Sequence, residues 1–324
     1  MGKDERIADW HLRDRRDKEE AVKVAVVGAG AVGGYFGALL HRGGLDVTLI
    51  ARGRHLEAIK THGLQIKSSR GDFTVAAKAV GDPREIGPVD LILFCVKSYE
   101  TESAARQCLS MIRGDTAIIS LQNGVDNEEK IAGAVGEEKV LGGVAYIGAG
   151  VSEPGVIVHT AEGRIVFGEM QGGISERVRH LEQMFRDAGV PAEISPDVRA
   201  ILWGKLCWNA SFNALNALVG GEVRALIEHP ETWALAREVM EEVRTVAVAH
   251  GVHMPDDVVD KLLHWTTTAG AGIKTSTRQD LEAGKRLEAD ALNGVVVQKG
   301  KAAGVPTPLN FVLYGLLKAI DPVS

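Results

Sequence analysis

The stretch VKVAVVGAGAVGGYFGALLH, at residues 22–41, decides the fold of this chain. Residues 22–27 are mostly β-branched and apolar, which is typical of a buried parallel strand. Residues 34–41 are typical of a helix, and between the two segments lie Gly28, Ala29, Gly30, Ala31, Val32 and Gly33. A strand, a GxGxxG turn and a helix in this order predict a site for the pyrophosphate of a dinucleotide. A purely structural turn is the alternative, because the chain contains 38 glycines.

Each glycine of the turn has a predicted role. Gly28 permits the tight turn, Gly30 lets the backbone approach the phosphates, and Gly33 lets the helix pack close to the strand. The N-terminus of the helix would offer N–H groups and a partial positive charge to the anion.

The end of the second strand indicates which dinucleotide binds. Residues 45–50 are predicted to form this strand, and an NAD site usually has an acidic residue at its end. Here the strand is followed by ARGR at residues 51–54, with no carboxylate before Glu57. The guanidinium groups of Arg52 and Arg54 suit a 2′-phosphate, so the sequence favours NADP(H) over NAD(H). The alternative is a pair of solvated loop arginines.

Composition narrows the class of protein. The chain has 324 residues and a formal net charge of −6, which gives no reason to expect nucleic acid or a membrane surface as a partner. No apolar run is long enough to span a membrane, and the three cysteines predict small buried roles in a cytoplasmic protein. His250 and His253 read as a chance pair rather than a metal site. The sequence leaves the oligomeric state open, and a homodimer is compatible with it.

The succession of elements predicts an α/β protein with an N-terminal Rossmann-type doubly wound sheet followed by an all-α C-terminal domain. We expect a mobile charged extension at residues 1–20, an NADP-binding domain at 21–196 and a helical substrate domain at 197–324. The active site would lie in the cleft between the two domains.

Individual elements follow from hydrophobic patterns. Further strands are predicted at 89–96, 116–121, 140–146 and 192–194, with helices near 99–112, 126–134 and 174–188. Residues 156–159 and 164–168 read as short antiparallel strands at one edge of the sheet, and residues 148–150 as a loop. In the second domain, helices are predicted near 197–218, 230–250, 255–270, 276–303 and 308–319.

The predicted helix at 197–218 carries the most unusual polar pattern. Lys205, Asn209 and Asn213 recur at four-residue intervals along a mostly apolar segment, so they share one face. Desolvation lowers the pKa of a lysine and makes it a better proton donor near neutral pH, while asparagines can bind substrate oxygens. A polar stripe that faces solvent is the alternative, and the residue pattern leaves the two interpretations about equal.

The chain resembles the ketopantoate reductases (2-dehydropantoate 2-reductases) from Lys23 to about Ala319. The resemblance rests on the order and spacing of several motifs. They are the glycine turn, Leu-Ile-Ala-Arg at 49–52, Val96-Lys97, Gln122-Asn123-Gly124, Leu202–Leu206 with Asn209 and Asn213, Ser276 to Asp280, Glu288, and Asn293-Gly294.

The resemblance implies hydride transfer from NADPH to the C2 ketone of ketopantoate, which gives (R)-pantoate for pantothenate and coenzyme A synthesis. It further implies roles for individual residues. Lys205 would be the general acid, Glu288 would orient it and bond the substrate hydroxyls, Asn209 and Asn213 would hold the substrate, and Ser276 would bind its carboxylate. Arg52 would take the 2′-phosphate, Lys97 would lie beside the cofactor, and Asn123 would lie by the nicotinamide and its ribose.

Without the resemblance, three of these residues have other interpretations. Glu288 reads as a surface carboxylate on a charge-rich helix, Asn123 as a turn residue, and Ser276 as a helix cap.

Two positions depart from the family pattern. Ile273 stands where the family usually has an asparagine, and Gly220 replaces a second substrate-contacting asparagine before Gly221-Glu222. Fewer hydrogen bonds to the distal hydroxyl leave a different branched or aromatic 2-keto acid open as the substrate. A non-catalytic NADPH sensor is a third hypothesis, but such a sensor would need none of the predicted substrate-side residues.

Overall fold

The computed structural model describes residues 21–323, so the extension predicted at residues 1–20 lies outside the described residues. The described chain divides into two compact units. The first unit runs up to Gln122 and from Asn127 to Val198. The second unit comprises Asn123–Asp126 and the residues from Arg199 onward.

The first unit is built on one sheet whose central strands come from the apolar runs of the sequence. The strands are β1 (Lys23–Val27), β2 (Asp46–Ile50), β3 (Leu64–Ser68), β4 (Phe73–Val75), β5 (Lys78–Val80), β6 (Leu91–Phe94), β7 (Ala117–Ser120), β8 (Val140–Glu153), β9 (Val156–Glu169) and β10 (Ala192–Ile194). Their order is β4-β3-β9-β8-β7-β6-β1-β2-β5, with β10 beside β9. Strands β8, β7, β6, β1, β2 and β5 pair in parallel. The glycine turn, Arg52 and Lys97 follow the carboxyl ends of β1, β2 and β6, which lie at one edge of the sheet.

Helices cover both faces of this sheet. They are α1 (Ala31–Arg42), α2 (Gly53–His62), α3 (Thr101–Gln107), α4 (Asn127–Val135) and α5 (Glu176–Asp187). Val24 and Val26 pack in one hydrophobic cluster with residues of α1 and α5, whereas Ala25 and Val27 pack in another with residues of α3 and α4. The alternation along β1 therefore buries both faces, and the predicted doubly wound Rossmann-type sheet is confirmed.

Several expectations in the second half of this unit were wrong. The two short strands expected near 156–159 and 164–168 are one strand, β9, which pairs antiparallel with β8 and parallel with β3 and β10. Residues 160–163 contain a Glu-Gly pair that resembles a turn, but Glu162 adopts a φ of 58° and the pairing with β8 shifts register there. Residues 148–150, expected to be a loop, lie inside β8.

Other elements were not predicted or were predicted too long. Between residues 53 and 88 the chain forms α2, β3, β4 and β5, and the last two strands are only three residues each. The helix expected near 99–112 is α3 between two 3-10 turns. Short strands carry too little periodicity to be recognised from sequence.

The regular elements of the second unit, as far as the structure describes it, are helices, as predicted. They are α6 (Val198–Trp208, whose first residue belongs to the first unit), α7 (Ala214–Val219), α8 (Arg224–Ile227), α9 (Pro230–Ala249), α10 (Val258–Trp265), α11 (Ser276–Glu282), α12 (Val295–Ala303) and α13 (Pro308–Ile320). Trp203, Phe212 and Met240 are among the buried side chains of this unit. Over residues 21–323, no helix combines the length and apolar character needed to cross a membrane.

Two of the helices predicted in this unit are interrupted. A π-helical turn at Asn209–Asn213 separates α6 from α7. The helix expected at 276–303 is instead α11 and α12, with irregular chain from residue 283 and a π-helical turn at Asp290–Gly294 between them. Gly284, with a φ of 64°, ends α11. Such π-helical turns are frequent at functional sites.

Candidate active site

The glycine turn joins β1 to α1. Gly28 has a φ of 96°, and a Cβ there would lie 2.8 Å from the backbone nitrogen of Val96. A Cβ on Gly33 would lie 2.3 Å from the carbonyl oxygen of Gly28 and 2.8 Å from Cγ1 of Val26, so helix and strand approach as closely as predicted. A Cβ on Gly30, by contrast, would meet nothing within 4 Å. Gly30 is the N-cap of α1 and supplies no capping side chain, so the first N–H groups of the helix face outward uncapped.

A histidine that no sequence pattern indicated holds this turn to α2. Nδ1 of His55 accepts a hydrogen bond from the backbone N–H of Gly155 at 3.0 Å, so the ring proton lies on Nε2. Nε2 then donates to the carbonyl oxygen of Ala29 at 2.9 Å. The neutral imidazole therefore fixes the glycine turn against both α2 and the turn between β8 and β9.

The two arginines after β2 lie at the start of a helix rather than in an extended loop. Arg52 is the N-cap residue of α2 and Arg54 is in its first turn, which contains no acidic residue. Both side chains are exposed. Nη1 of Arg52 donates to Oε1 of Glu100 at 2.9 Å, and Glu100 ends the 3-10 turn that follows β6. This carboxylate, 48 residues away in sequence, was not predicted.

Lys97 is half-buried and precedes the same 3-10 turn. It follows Val96, whose backbone lies against Gly28. Gln122 fixes this segment, because its Nε2 donates to the carbonyl of Val96 at 2.9 Å and to Oγ1 of Thr101 at 2.8 Å. These contacts tie the carboxyl ends of β6 and β7 together beside the glycine turn.

In the second unit, Lys205 lies on α6 and is half-buried. Glu288 is 7% exposed and lies in the irregular segment before α12, which excludes the alternative of a surface carboxylate on a helix. The chain leaves the helix after Glu282 and buries Glu288 near Lys205. Burial lowers the pKa of Lys205 to about 8, and the carboxylate of Glu288 opposes that shift. The structure thus brings together two residues that are far apart in sequence.

The asparagines of the π-helical turn that follows α6 are buried as well. Asn209 is 6% exposed and Asn213 is 2% exposed, which excludes the alternative of a polar stripe that faces solvent. Nδ2 of Asn209 donates to Oδ1 of Asn123 at 3.4 Å, and Nδ2 of Asn213 donates to Oγ of Ser276 at 3.4 Å. Oδ1 of Asn213 is buried and has no hydrogen-bond partner among residues 21–323. This oxygen can therefore accept a hydrogen bond from a bound ligand.

Ser276 is exposed and is the first residue of α11. It is not the helix cap that the sequence suggested, since the N-cap is Thr275, whose side chain accepts from the N–H of Arg278 at 3.4 Å. The hydroxyl of Ser276 is consequently not used for capping.

The π-helical turn that carries the asparagines is held by another buried amide. Nδ2 of Asn293 donates to the carbonyl oxygen of Ala210 at 2.8 Å and to Oδ1 of Asn310 at 3.0 Å. Nδ2 of Asn310 in turn donates to Glu242 at 2.8 Å. This network supports a carbonyl in the segment where the regular helical bonding pattern changes. No spacing in the sequence could have revealed it, because Ala210 and Asn293 are 83 residues apart.

Comparison with known proteins gives the context for this arrangement. The family model described as ketopantoate reductase PanE/ApbA matches residues 24–172, and the model of its C-terminal part matches residues 197–321. The chain belongs to the ketopantoate reductase family. The 2-dehydropantoate 2-reductase of Archaeoglobus fulgidus is 34% identical over 300 residues, which cover 92% of this chain and 98% of that protein. This ketopantoate reductase family member is therefore an oxidoreductase that acts on CH–OH donors.

Solved structures show the same fold. A PanE/ApbA family ketopantoate reductase from Ralstonia eutropha is 39% identical, with a TM-score of 0.86 over 92% of this chain and 98% of that one. A ternary structure of D-mandelate dehydrogenase with NADH and anilino(oxo)acetate is 26% identical, with a TM-score of 0.86 over 92% of this chain and 98% of that one. Proteins that share this fold are thus named for ketopantoate and for D-mandelate.

Proposed function

We propose that the protein reduces ketopantoate to (R)-pantoate with NADPH, in the cytoplasm, as a step in pantothenate and coenzyme A synthesis. The observation that carries the proposal is the half-buried Lys205, whose pKa burial lowers to about 8 beside the buried carboxylate of Glu288. The names of several relatives support ketopantoate as the substrate.

The first unit has the features that a dinucleotide needs. Gly28, Gly30 and Gly33 with the uncapped start of α1 would hold the pyrophosphate, because Gly30 presents no side chain and a Cβ there would project into open space. Lys97 would lie beside the cofactor, and Asn123 would bond to the nicotinamide and its ribose. When bound, the reduced nicotinamide supplies the hydride.

The start of α2 supports NADPH over NADH. Arg52 and Arg54 place two guanidinium groups at an uncapped helix N-terminus whose first turn has no acidic residue. A 2′-phosphate would be attracted both by the arginines and by the helix dipole. Glu100 opposes this attraction in part, because its carboxylate already pairs with Arg52.

The acid–base step belongs to Lys205. Its ammonium would donate a proton to the C2 oxygen of the substrate as that oxygen gains negative charge. A pKa of about 8 leaves the side chain mostly protonated at neutral pH while making it a stronger acid than an ordinary lysine. Glu288 would keep the ammonium protonated and oriented, and would accept hydrogen bonds from the substrate hydroxyls.

The substrate would be held by the asparagines and the serine. Asn213 offers a buried amide oxygen without a partner in the described chain, and its amide nitrogen already reaches Ser276. Ser276 would bind the substrate carboxylate with its hydroxyl. Asn209, which contacts Asn123, would bind a substrate oxygen.

Steady-state kinetics with purified protein test the proposal. We expect the protein to oxidise NADPH in the presence of ketopantoate, with a kcat/KM for NADPH higher than that for NADH. Loss of the reduced-nicotinamide absorbance is the measurement, and a panel of branched and aromatic 2-keto acids is the comparison. NADPH binding without oxidation in the presence of every 2-keto acid would instead identify a non-catalytic sensor.

A second candidate is a reductase of a different branched or aromatic 2-keto acid on the same scaffold. Gly220 and Ile273, where the family has asparagines, favour it on the substrate side. The similarity to D-mandelate dehydrogenase shows that this fold is also found in an enzyme named for an aromatic 2-hydroxy acid. A higher kcat/KM for an aromatic 2-keto acid than for ketopantoate would establish this candidate.

A further inference from the structure

The two positions that depart from the family pattern are neighbours in the second unit. The carbonyl oxygen of Ile273 accepts a hydrogen bond from the backbone N–H of Val223 at 2.9 Å. Val223 follows Gly220 by three residues, in the loop between α7 and α8. The segment that contains Ile273 is therefore hydrogen-bonded to the loop that contains Gly220.

The loop that contains Gly220 is linked to the predicted substrate residue Ser276. Nδ2 of Asn216 donates to the carbonyl of Gly221 at 3.1 Å, and Oδ1 of Asn216 accepts from the backbone N–H and the hydroxyl of Thr275 at 3.1 and 3.0 Å. Thr275 precedes Ser276, which contacts Asn213. Asn216 thus joins the loop at Gly220 to the segment that presents Ser276.

The guanidinium of Arg278 lies where Gly220 lacks a side chain. A Cβ built on Gly220 would lie 3.6 Å from both Nη1 and Nη2 of Arg278, which is van der Waals contact. Nη1 donates to the carbonyl of Ala217 at 3.3 Å, and Nε donates to Glu282 at 2.8 Å. Within residues 21–323, Nη2 makes no hydrogen bond. Gly220 has a φ of 91°, which an asparagine would adopt only with strain, so the loop conformation itself suits glycine.

Arg278 shares its carboxylate partner with a second cation. Lys274 and Arg278 both pair with Glu282, so two cations share one carboxylate. The side chain of Arg278 is 24% exposed and retains the donor capacity of Nη2. A guanidinium only donates hydrogen bonds, whereas the amide of an asparagine both donates and accepts.

We propose that Arg278 is a specificity-determining residue that binds a hydrogen-bond acceptor at the end of the substrate remote from the keto group. It would do so in place of the asparagines that Gly220 and Ile273 replace. The inference rests on the proposed function, and it narrows the substrate class to 2-keto acids with a distal hydroxyl or carboxylate oxygen. Ile273 would contact the alkyl part of such a substrate. Substrates with a purely alkyl or aromatic end would leave the guanidinium without a partner and be disfavoured.

The test compares substrates with different distal groups. Ketopantoate and 3,3-dimethyl-2-oxobutanoate differ only by the distal hydroxyl, whereas 2-oxoglutarate carries a distal carboxylate on an unbranched chain. For the unmodified protein we expect kcat/KM to favour ketopantoate over the deoxy analogue by about tenfold or more. Arg278→Met removes the donors but keeps a flexible, unbranched side chain, so it should reduce this ratio to near one, mainly by lowering kcat/KM for ketopantoate. The ratio of kcat/KM for 2-oxoglutarate to kcat/KM for the deoxy analogue shows whether a carboxylate is also bound. This ratio should fall in the same variant.

Arg224→Met is the matched control, because Arg224 is an exposed arginine on the neighbouring helix α8 and pairs only distantly with Glu222, at 4.0 Å. This variant should leave both ratios unchanged. An equal loss of kcat/KM for all three substrates in Arg278→Met, or an unchanged ratio, would overturn the inference. A protein that reduces none of the 2-keto acids would instead overturn the proposed function, so the two failures are distinguishable.

Discussion

At the scale of single residues, two opposing effects set the protonation of Lys205. Burial lowers its pKa and the carboxylate of Glu288 raises it, and the resulting pKa is about 8. A general acid must be protonated to act, so reduction should slow as the pH rises through the pKa of Lys205. The descending limb of the pH profile for kcat/KM is therefore expected near pH 8.

Replacement of Glu288 by glutamine should move that limb. Glu288→Gln removes the negative charge but keeps the size of the side chain, so the pKa of Lys205 should fall further and the limb should shift by about one pH unit toward lower pH. The pH dependence of kcat/KM for ketopantoate reduction measures the shift. A variant that loses activity equally at every pH would show that Glu288 has a structural role only.

Residues of the site differed in how far the sequence revealed them. The four-residue spacing of Lys205, Asn209 and Asn213 was visible because the three residues lie close together in the sequence. Glu288 could be assigned only by resemblance to a family, since its burial results from contacts between distant parts of the chain. His55 and Arg278 gave no sequence signal, because their roles depend on backbone atoms and on the absence of a side chain at Gly220.

At the scale of elements, two substitutions in the glycine turn distinguish the packing of α1 against β1 from the approach of a ligand to the backbone. A Cβ on Gly33 would overlap the carbonyl of Gly28 and the side chain of Val26, whereas a Cβ on Gly30 would meet open space. Gly33→Ala should therefore destabilise the fold by about 1–3 kcal/mol. Gly30→Ala should fold with nearly unchanged stability but bind NADPH more weakly, because its methyl group would lie where the pyrophosphate approaches the backbone.

Thermal unfolding and NADPH titration of the same two variants provide the measurement, and each variant serves as the control for the other. Equal NADPH affinity in Gly30→Ala and the unmodified protein would place the pyrophosphate elsewhere. Unchanged stability in Gly33→Ala would show that α1 can move away from β1 at little cost.

Elements were predictable where periodicity was long and uninterrupted. The strands β1, β2, β6 and β7 are mostly buried and mostly apolar, and they were placed to within a few residues. The strand β9 was divided in two because Gly163 resembles the end of a strand, whereas the chain continues through an irregular position at Glu162. The π-helical turn at Asn209–Asn213 cannot be read from residue types, since it depends on tertiary contacts such as that of Asn293 with Ala210.

At the scale of the whole molecule, the proposed tasks divide between the two units. The first unit contains the glycine turn, Arg52 and Lys97, which we assign to the cofactor, and the second contains Lys205 and the substrate residues. Asn123 follows β7 of the first unit but belongs to the second, where it contacts Asn209. The sequence predicted an α/β first unit and a helical second unit. It did not predict that Asn123–Asp126 belongs to the second unit, because this short segment has no distinctive composition.

The most direct test of the account is turnover and NADPH binding measured together in Lys205→Ala. The account predicts that ketopantoate reduction falls by about 100-fold or more, while the dissociation constant for NADPH changes by less than about twofold. Turnover equal to that of the unmodified protein would contradict the account, because Lys205 could then not be the proton donor.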